Sequence, residues 1–560
     1  MYFMEALVLL SALAGICVIA YLLGLRDQKI AERFLLKKLK ENFGQAPNRE
    51  YKPDDLDHLT GYYLNHKEDF QIDDTTWNDL NMDGVFARMN YCQSATGEEY
   101  LYHLLRSTRQ TDDFSKLENQ VSFFQKNEDA RIKSQLIFAK IGRRIRYSIY
   151  DYIGYLDKAP NTSNTRHFAM LGLMVVAIAL CFVNFTVGFL ALVALMLINI
   201  FQYFGIKNEI EPYLASFAYI LRVIYATEYF EKLTYSEIKE DIDKMSVAAK
   251  KLRPFTRGSF ILMNNTKVNS SGNPIEILFD YLKMALHLDL IKFNQMYKLI
   301  MENKDVLDEI ITIIGRLEAE ISIACFRQSF DGGWCLPEFT DSDYKGKELY
   351  HPLIVDAVAN SIETDKGLLI TGSNASGKST FLKTCAISAL LAQSIHTVLG
   401  KEYKAPLYRI YSSMALKDDI FGGDSYYIVE IKSIKRILDA NKENGNPVLC
   451  FVDEVLRGTN TVERIAASTQ ILKAFADSKV MCFAATHDIE LTTLLKDKLD
   501  IYHFEGNVTD NDVHFDYQIK EGPATNRNAI KLLGVLGYDE AIVDDAQSLA
   551  EKFLATGNWN

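Results

Sequence analysis

The chain has 560 residues, enough at roughly 150 per domain for three or four structural units with large apolar cores. Apolar residues make up 48% and charged residues 24%, which excludes wholesale disorder and collagen-like or purely coiled-coil composition. With 61 Lys and Arg against 73 Asp and Glu the net charge is −12, so a generally basic nucleic-acid coat protein is excluded and any DNA contact falls to a local patch.

The low counts of Gly (30) and Pro (11) predict long helices and few loops. Cysteines at 17, 92, 181, 325, 335, 385, 450 and 482 include no Cys-x-x-Cys pair, and several sit in apolar runs. That usage predicts reduced, buried thiols rather than a disulfide framework.

The first predicted element is a membrane anchor over 1–25. Ala6 to Leu25 is an uncharged run of about 20 residues, the length that crosses a hydrocarbon core of roughly 30 Å. Glu5 precedes it, and Arg26, Lys29, Arg33, Lys37, Lys38 and Lys40 follow. A cleavable signal peptide carries its basic residues ahead of the apolar stretch, so the pattern predicts an uncleaved helix with its N-terminus outside and the rest inside.

Residues 26–166 read as a first helical core region, with helical-period stretches such as Glu98 to Leu105. It carries a basic run at Arg131, Lys133, Lys140, Arg143, Arg144 and Arg146. A second uncharged run, Phe168 to Ile206, is about 39 residues long; as one straight helix it would reach nearly 60 Å, twice the membrane core. It is therefore predicted to fold back as a transmembrane hairpin over 167–206, broken near Asn184, Thr186 and Gly188. Its unbroken apolarity lacks the polar stripe of a half-exposed soluble helix. Arg166 and Lys207 flank it, so both ends can stay on the cytoplasmic side.

Residues 207–330 read as a second helical, lever-like region. Val306, Leu307, Ile310, Ile311, Ile314, Leu317 and Ile321 recur at spacings of three and four, and Asn269 to Pro274 marks a loop. From about Trp334 short apolar strands alternate with helices, which predicts an α/β domain with a parallel-rich sheet over 331–560.

That last region carries the chemistry. The strand Gly367 to Ile370 leads into Thr371-Gly372-Ser373-Asn374-Ala375-Ser376-Gly377-Lys378-Ser379-Thr380 and an apolar helix, the P-loop pattern G-x-x-x-x-G-K-[ST] in its strand-loop-helix setting. Residues Gly372 to Thr380 are the candidate nucleotide-binding loop, because its backbone N–H groups and the following helix N-terminus favour phosphate. Lys378 can reach the β and γ phosphates of ATP, and the Ser379 hydroxyl can ligate Mg²⁺. A second strand, Val448 to Val452, ends at Asp453 and Glu454, the former a candidate metal partner and the latter a candidate base that polarises water. A third, Val480 to Ala485, ends at Thr486 and His487, where an imidazole can sense the γ-phosphate.

These residues resemble the MutS family of ATPases within the ABC class. Thr371 to Thr380 is similar to that family's T-G-x-N-x-x-G-K-S-T, Asp453-Glu454-Val455-Leu456-Arg457-Gly458-Thr459-Asn460-Thr461 to its D-E-x-x-R-G-T-x-T, and Ala485-Thr486-His487 with Glu490-Leu491 to its A-T-H and downstream E-L. Gly423 to Glu430 resembles the signature segment, in which a serine precedes a glutamate by five residues. In the family that serine reaches the ATP of the other subunit, so the resemblance implies that Ser425 completes the opposite site of a homodimer. The resemblance is strong over 330–560 and weak over 70–330.

It also has departures. Mispair-reading members carry a Phe-x-Glu element in an N-terminal domain; here Phe3-Met4-Glu5 stands at the mouth of the first apolar run. The stretch before the helical core is too short for mismatch-binding and connector domains, so mispair-specific recognition is not expected.

The resulting expectation is a membrane-anchored, dimeric ATPase, multi-pass in the cell (inner) membrane with its ATPase domain cytoplasmic. It hydrolyses ATP with Mg²⁺ through Lys378, Ser379, Asp453, Glu454 and His487 and couples this to binding or clamping double-stranded or branched DNA. The alternative is a mechanical or scaffolding ATPase that binds no DNA and meets membrane lipids through its basic residues. An exporter-type pump is disfavoured by the few spans and the lack of a Leu-Ser-Gly-Gly-Gln signature.

Overall fold

The computed structural model describes residues 23, 26–27, 29–49, 51–52, 55–143, 147–156, 163–259, 262, 284–373, 376–414, 426–478, 480–508, 513–524, 529–535 and 537–559. The anchor expected over 1–25 lies outside the described residues except at Leu23, as does the loop expected at 269–274. The chain forms two compact units, one of Met1–His66, Asn90–His103 and Asn119–Gln328, the other of Lys67–Met89, Leu104–Glu118 and Ser329–Asn560. Two segments that the sequence groups with the first helical region, 67–89 and 104–118, thus belong to the second unit.

The first unit is helical. Its Lys304–Gln328 helix buries Leu307, Ile310, Ile311, Ile314, Leu317 and Ile321, the apolar positions that recur at helical spacing. From the same helix Arg316 reaches Asp241 at 2.6 Å and Glu320 at 3.0 Å, binding it to the Lys239–Thr256 helix. Glu318 is fully buried and accepts from the Ser94 amide at 3.1 Å, capping the first turn of the Ala95–Arg106 helix. Burial holds its carboxyl well above the ordinary range, at about 8.

The apolar run after Arg166 forms a helical hairpin. Helix Thr165–Val183 ends at Asn184, whose side chain accepts from Val187 N at 3.2 Å and starts the next helix. Thr186 and Gly188, expected in the turn, lie in that helix's first turns. A Cβ at Gly188 would stand 2.3 Å from the Cys181 amide nitrogen, so only glycine lets the two helices meet this closely. The second helix does not stop near 206 but runs as Phe185–Phe230, 46 residues. It continues because Ile210, Leu214, Phe217, Leu221 and Ile224 keep a helical period and bury in the unit's core. Thr165–Val183 and Phe185–Glu211 are long and apolar enough to cross a membrane, and Phe182, Val183 and Phe201 stand more than four-fifths exposed.

The second unit is built on two sheets. Its strands are β1 (Glu338–Phe339), β2 (Tyr344–Leu349), β3 (Asn360–Thr364), β4 (Leu368–Gly372), β5 (Glu402–Ala405), β6 (Arg409–Ser413), β7 (Val448–Asp453), β8 (Val480–Ala485), β9 (Asp500–Val508) and β10 (Val513–Glu521). The larger sheet has the order β10-β9-β4-β8-β7-β6 and is parallel except for β10, as the alternation of strands and helices predicts. The smaller has the order β1-β5-β2-β3. Strands β4, β7 and β8 are buried along almost their whole length. On one face Phe483 meets Phe451 and Tyr344 edge-on at 5.3 and 4.9 Å; on the other Leu369, Val452 and Ala484 pack against Leu472 and Phe475.

The open edge of β6 is closed by the segment 67–89. Thr76 Oγ1 accepts from Ser412 N at 3.1 Å, and the buried Asp79 carboxylate accepts from Met414 N at 2.9 Å and from the Ser412 hydroxyl at 2.7 Å. A helix, Asp74–Asp79, thus supplies side-chain acceptors where a further strand would otherwise pair. The seven described cysteines are free thiols, five of them buried, as their apolar settings predict.

Candidate nucleotide site

The parallel register brings the C-terminal ends of β4, β7 and β8 side by side, Ile370 beside Ala485 and Ala485 beside Asp453. In open α/β sheets this edge is where ligands bind. Beyond β4 the chain turns at Gly372, with φ +142° and a Cβ position only 2.5 Å from the Phe504 carbonyl oxygen, a conformation and approach that exclude a side chain. Gly377, also at positive φ, caps the Lys378–Ile395 helix, whose N-terminus opens onto the loop. Asn374 and Ala375 of the predicted loop lie outside the described residues.

The remaining loop residues fold on themselves. Lys378 Nζ donates to the Gly372 and Ser373 carbonyls at 2.7 and 2.8 Å, and the Ser376 hydroxyl donates to Ser373 O at 2.8 Å. Burial lowers the Lys378 ammonium to about 8, against the opposing pull of Asp453 and Glu454. Ser379 and Thr380 face solvent in the first helical turn.

The two adjacent carboxylates at the end of β7 sit in opposite environments. Burial raises Asp453, offset by a hydrogen bond with the Ser379 hydroxyl and by the charges of Lys378 and His487. Glu454 is instead held below the ordinary range, chiefly by its hydrogen bond with His487, helped by Arg457 and Lys378. His487 Nε2 stands 2.8 Å from Glu454 Oε1, and Arg457 Nε 2.9 Å from Oε2. Glu454 adopts a left-handed φ of +57°. Its amide donates to Ala485 O at 2.9 Å, and Thr486 N donates to Ile370 O at 2.9 Å, which fixes His487 relative to β4 and β7.

The structure therefore brings Gly372, Ser373, Ser376, Gly377, Lys378, Ser379, Thr380, Asp453, Glu454 and His487 to one sheet edge. Ser425 lies outside the described residues, one position before the Tyr426–Ala440 helix.

Three features were not apparent from local motifs. Glu430, buried in that helix, accepts from the backbone amides of Leu456 and Arg457 and so holds the turn that follows Glu454. Asp488 forms a two-pronged pair with Arg464 at 2.8 and 2.7 Å, fixing the segment after His487 to the Thr461–Ala476 helix. Beside the phosphate loop, Val355, Val358, Phe504, Tyr517, Gly377 and Thr380 border a cavity of about 440 Å³. His351 also faces this cavity; burial depresses its imidazole to about 4, so it is neutral and accepts from Leu353 N at 3.2 Å.

Fold and site together define an α/β domain with a phosphate-loop motif at the C-terminal edge of its parallel sheet. A family model described as MutS domain V matches residues 368–554. The DNA mismatch repair protein MutS of Thermus aquaticus is 30% identical over 45% of this chain and 31% of its own length. The DNA mismatch repair protein MutS of Thermus thermophilus is 32% identical over 37% and 26%, and the DNA mismatch repair protein MutS 2 of Haloarcula marismortui 32% identical over 32% and 19%. Residues 368–554 are thus similar to domain V of the MutS family. The chain spans less than a third of the length of each of these relatives.

Proposed function

We propose that the protein is a membrane-anchored ATPase that hydrolyses ATP as a homodimer and uses the cycle to move its helical unit. The observation that carries this is the meeting of Lys378, Asp453, Glu454 and His487 at one sheet edge, with MutS family members being ATPases. Lys378, now bonded to loop carbonyls, would exchange those partners for the β and γ phosphates, and the loop amides would hold the rest of the chain of phosphates. The apolar cavity beside Gly377 would take the nucleoside. Ser379 and Asp453 supply the hard oxygen donors that suit Mg²⁺. Among the described residues no cluster of three or more His, Cys, Asp or Glu side chains could hold a metal unaided, which fits an ion completed by nucleotide and water. When bound, Mg²⁺ would neutralise phosphate charge. Glu454, ionised by its hydrogen bond with His487, accepts the proton of the attacking water; His487 links that carboxylate to nucleotide state.

The experiment is paired. Lys378→Ala should cut turnover at least a hundredfold by removing the phosphate clamp, and Glu454→Gln should retain ATP binding while trapping an uncleaved, dimeric state. Normal turnover in the Gln variant would reject the base.

The two apolar helices and the basic residues after Leu25 support multi-pass insertion in the cell membrane with the ATPase domain inside. A reporter fused at Asn560 should read cytoplasmic; an external one would reverse this orientation. The family relationship favours duplex or branched DNA as the ligand that is moved or clamped. A second reading, a mechanical or scaffolding ATPase without DNA, is favoured by where the basic run lies. Arg131 is buried against Phe43, and Lys133 pairs with Asp129; Arg144 and Arg146 lie outside the described residues. Retention on duplex DNA that falls steeply with salt separates the two readings.

A further inference from the structure

The helical unit contains a cavity of about 670 Å³, remote in sequence from every residue of the phosphate loop. Leu35, Leu39 and Phe43 form an apolar wall, and Lys38, Arg49 and Arg143 bring three cations to it. The two guanidiniums come from separate segments yet converge on one carbonyl. Arg49 Nη2 donates to Cys92 O at 2.9 Å, and Arg143 Nε and Nη2 donate to the same oxygen at 3.0 and 2.7 Å. One carboxylate lies near both, with Glu98 Oε1 3.6 Å from Arg49 and 3.3 Å from Arg143.

The charge count does not balance. Among the described residues the two guanidiniums, with the exposed Lys38 ammonium beside them, face one carboxylate, and burial pushes Glu98 up to about 7, so near neutral pH it cancels only part of one positive charge. A donor also remains unused: Arg49 Nη1 is buried without a hydrogen-bond partner, 3.6 Å from Glu98 Oε1, and Gln135, only 4% exposed on the cavity wall, offers a side-chain amide beside it. Guanidiniums gathered beside a half-neutral carboxylate, one with a buried unused donor, are costly unless an anion joins them. A planar guanidinium pair suits the oxygens of a phosphate group, and an apolar wall next to it suits the greasy part of the same molecule.

We propose that this cavity binds a phosphate group between Arg49 and Arg143, presented by an anionic phospholipid whose glycerol and acyl region lies along Leu35, Leu39 and Phe43. The helix over 29–41 that carries Leu35 and Leu39 follows closely in sequence on the uncharged run 6–25, which brings lipid within reach. The choice of lipid as the source rests on the membrane reading above; the phosphate site itself rests on the cavity.

The test uses the full chain in detergent, probed separately with short-chain phosphatidylglycerol, short-chain phosphatidylcholine and inorganic phosphate, with bound species read by native mass spectrometry. Phosphatidylglycerol should bind about tenfold or more tightly than phosphatidylcholine. Arg49→Gln with Arg143→Gln should erase that preference, each lost charge-assisted contact weakening binding about tenfold, while ATP turnover stays at the wild-type level. Gln135→Glu, which removes no buried cation, should weaken binding in the same direction and serves if the double variant does not fold. Equal retention of both lipids, unaltered by any substitution and with no uptake of inorganic phosphate, overturns the proposal. Inorganic phosphate binding that depends on Arg49 and Arg143 without lipid preference upholds the site and rejects lipid as its source. A chain that fails to associate with membranes but still takes phosphate here rejects the membrane reading alone.

Discussion

Glu454 combines a strained backbone with a stabilised charge. A left-handed φ costs a residue with a Cβ about 1–2 kcal/mol, and Glu454 and Leu456 both adopt it within three positions. The hydrogen bonds from Leu456 N and Arg457 N to Glu430, and from Glu454 N to Ala485 O, hold that turn in place. The turn points the Glu454 carboxylate at His487, whose hydrogen bond is the largest reason the carboxyl lies below its ordinary range. A base acts only when ionised, so hydrolysis should fall as pH drops through this pKa. Without the imidazole, in His487→Ala, the pKa rises and the acid limb of the kcat/KM profile should move to higher pH. An unmoved limb would assign it to another group. The residues of this device differ in how far sequence reveals them. Glu454 and His487 stand at strand ends beside the phosphate loop, where a short motif marks them. The bond from Glu430 to amides 26 and 27 positions away leaves no local trace, because a backbone amide has no residue identity.

Elements were legible where their periodicity was local and obscure where a tertiary partner decided them. The hairpin follows from a run too long for one membrane crossing, and Asn184 marks its break. Its second helix extends to Phe230 because the next apolar period continues without a stop, a feature hidden when the run is read only as far as its charge-free limit. Gly188→Val tests the closeness of the two helices. Added bulk at a contact of 2.3 Å should destabilise the hairpin by about 1–3 kcal/mol, read as a lower thermal midpoint in detergent. Sequence alone also left the segment 67–89 with the helical region, since nothing in it marks an affinity for a strand edge. Asp79→Ala would leave the part-buried Met414 amide and the buried Ser412 hydroxyl beside β6 without this acceptor, at about 1–3 kcal/mol for the hydroxyl. The nucleotide-binding unit should then melt earlier or aggregate through β6, whereas a purely surface role for Asp79 predicts no change.

At the scale of the whole molecule, the decisive question is whether one chain completes its own site. The loop, Asp453, Glu454 and His487 gather within a single unit, but the proposed function assigns Ser425 to the partner's nucleotide. This arrangement makes a prediction that a self-sufficient monomer cannot share. Lys378→Ala disables the site built on its own loop, and Ser425→Ala disables the site built on its partner's, so each homodimer should be inactive. Mixing the two variants creates heterodimers in which one site carries both lesions and the other carries neither. With random exchange half the dimers are mixed and each has one intact site of two, so activity should return to about a quarter of the wild-type level. Two variants that stay inactive after subunit exchange, when exchange itself is verified by mass-tagged chains, would mean that Ser425 acts within its own subunit. Recovery in the mixture can arise only if both halves of a site come from different copies, and it requires that the dimer, rather than the chain, is the catalytic unit.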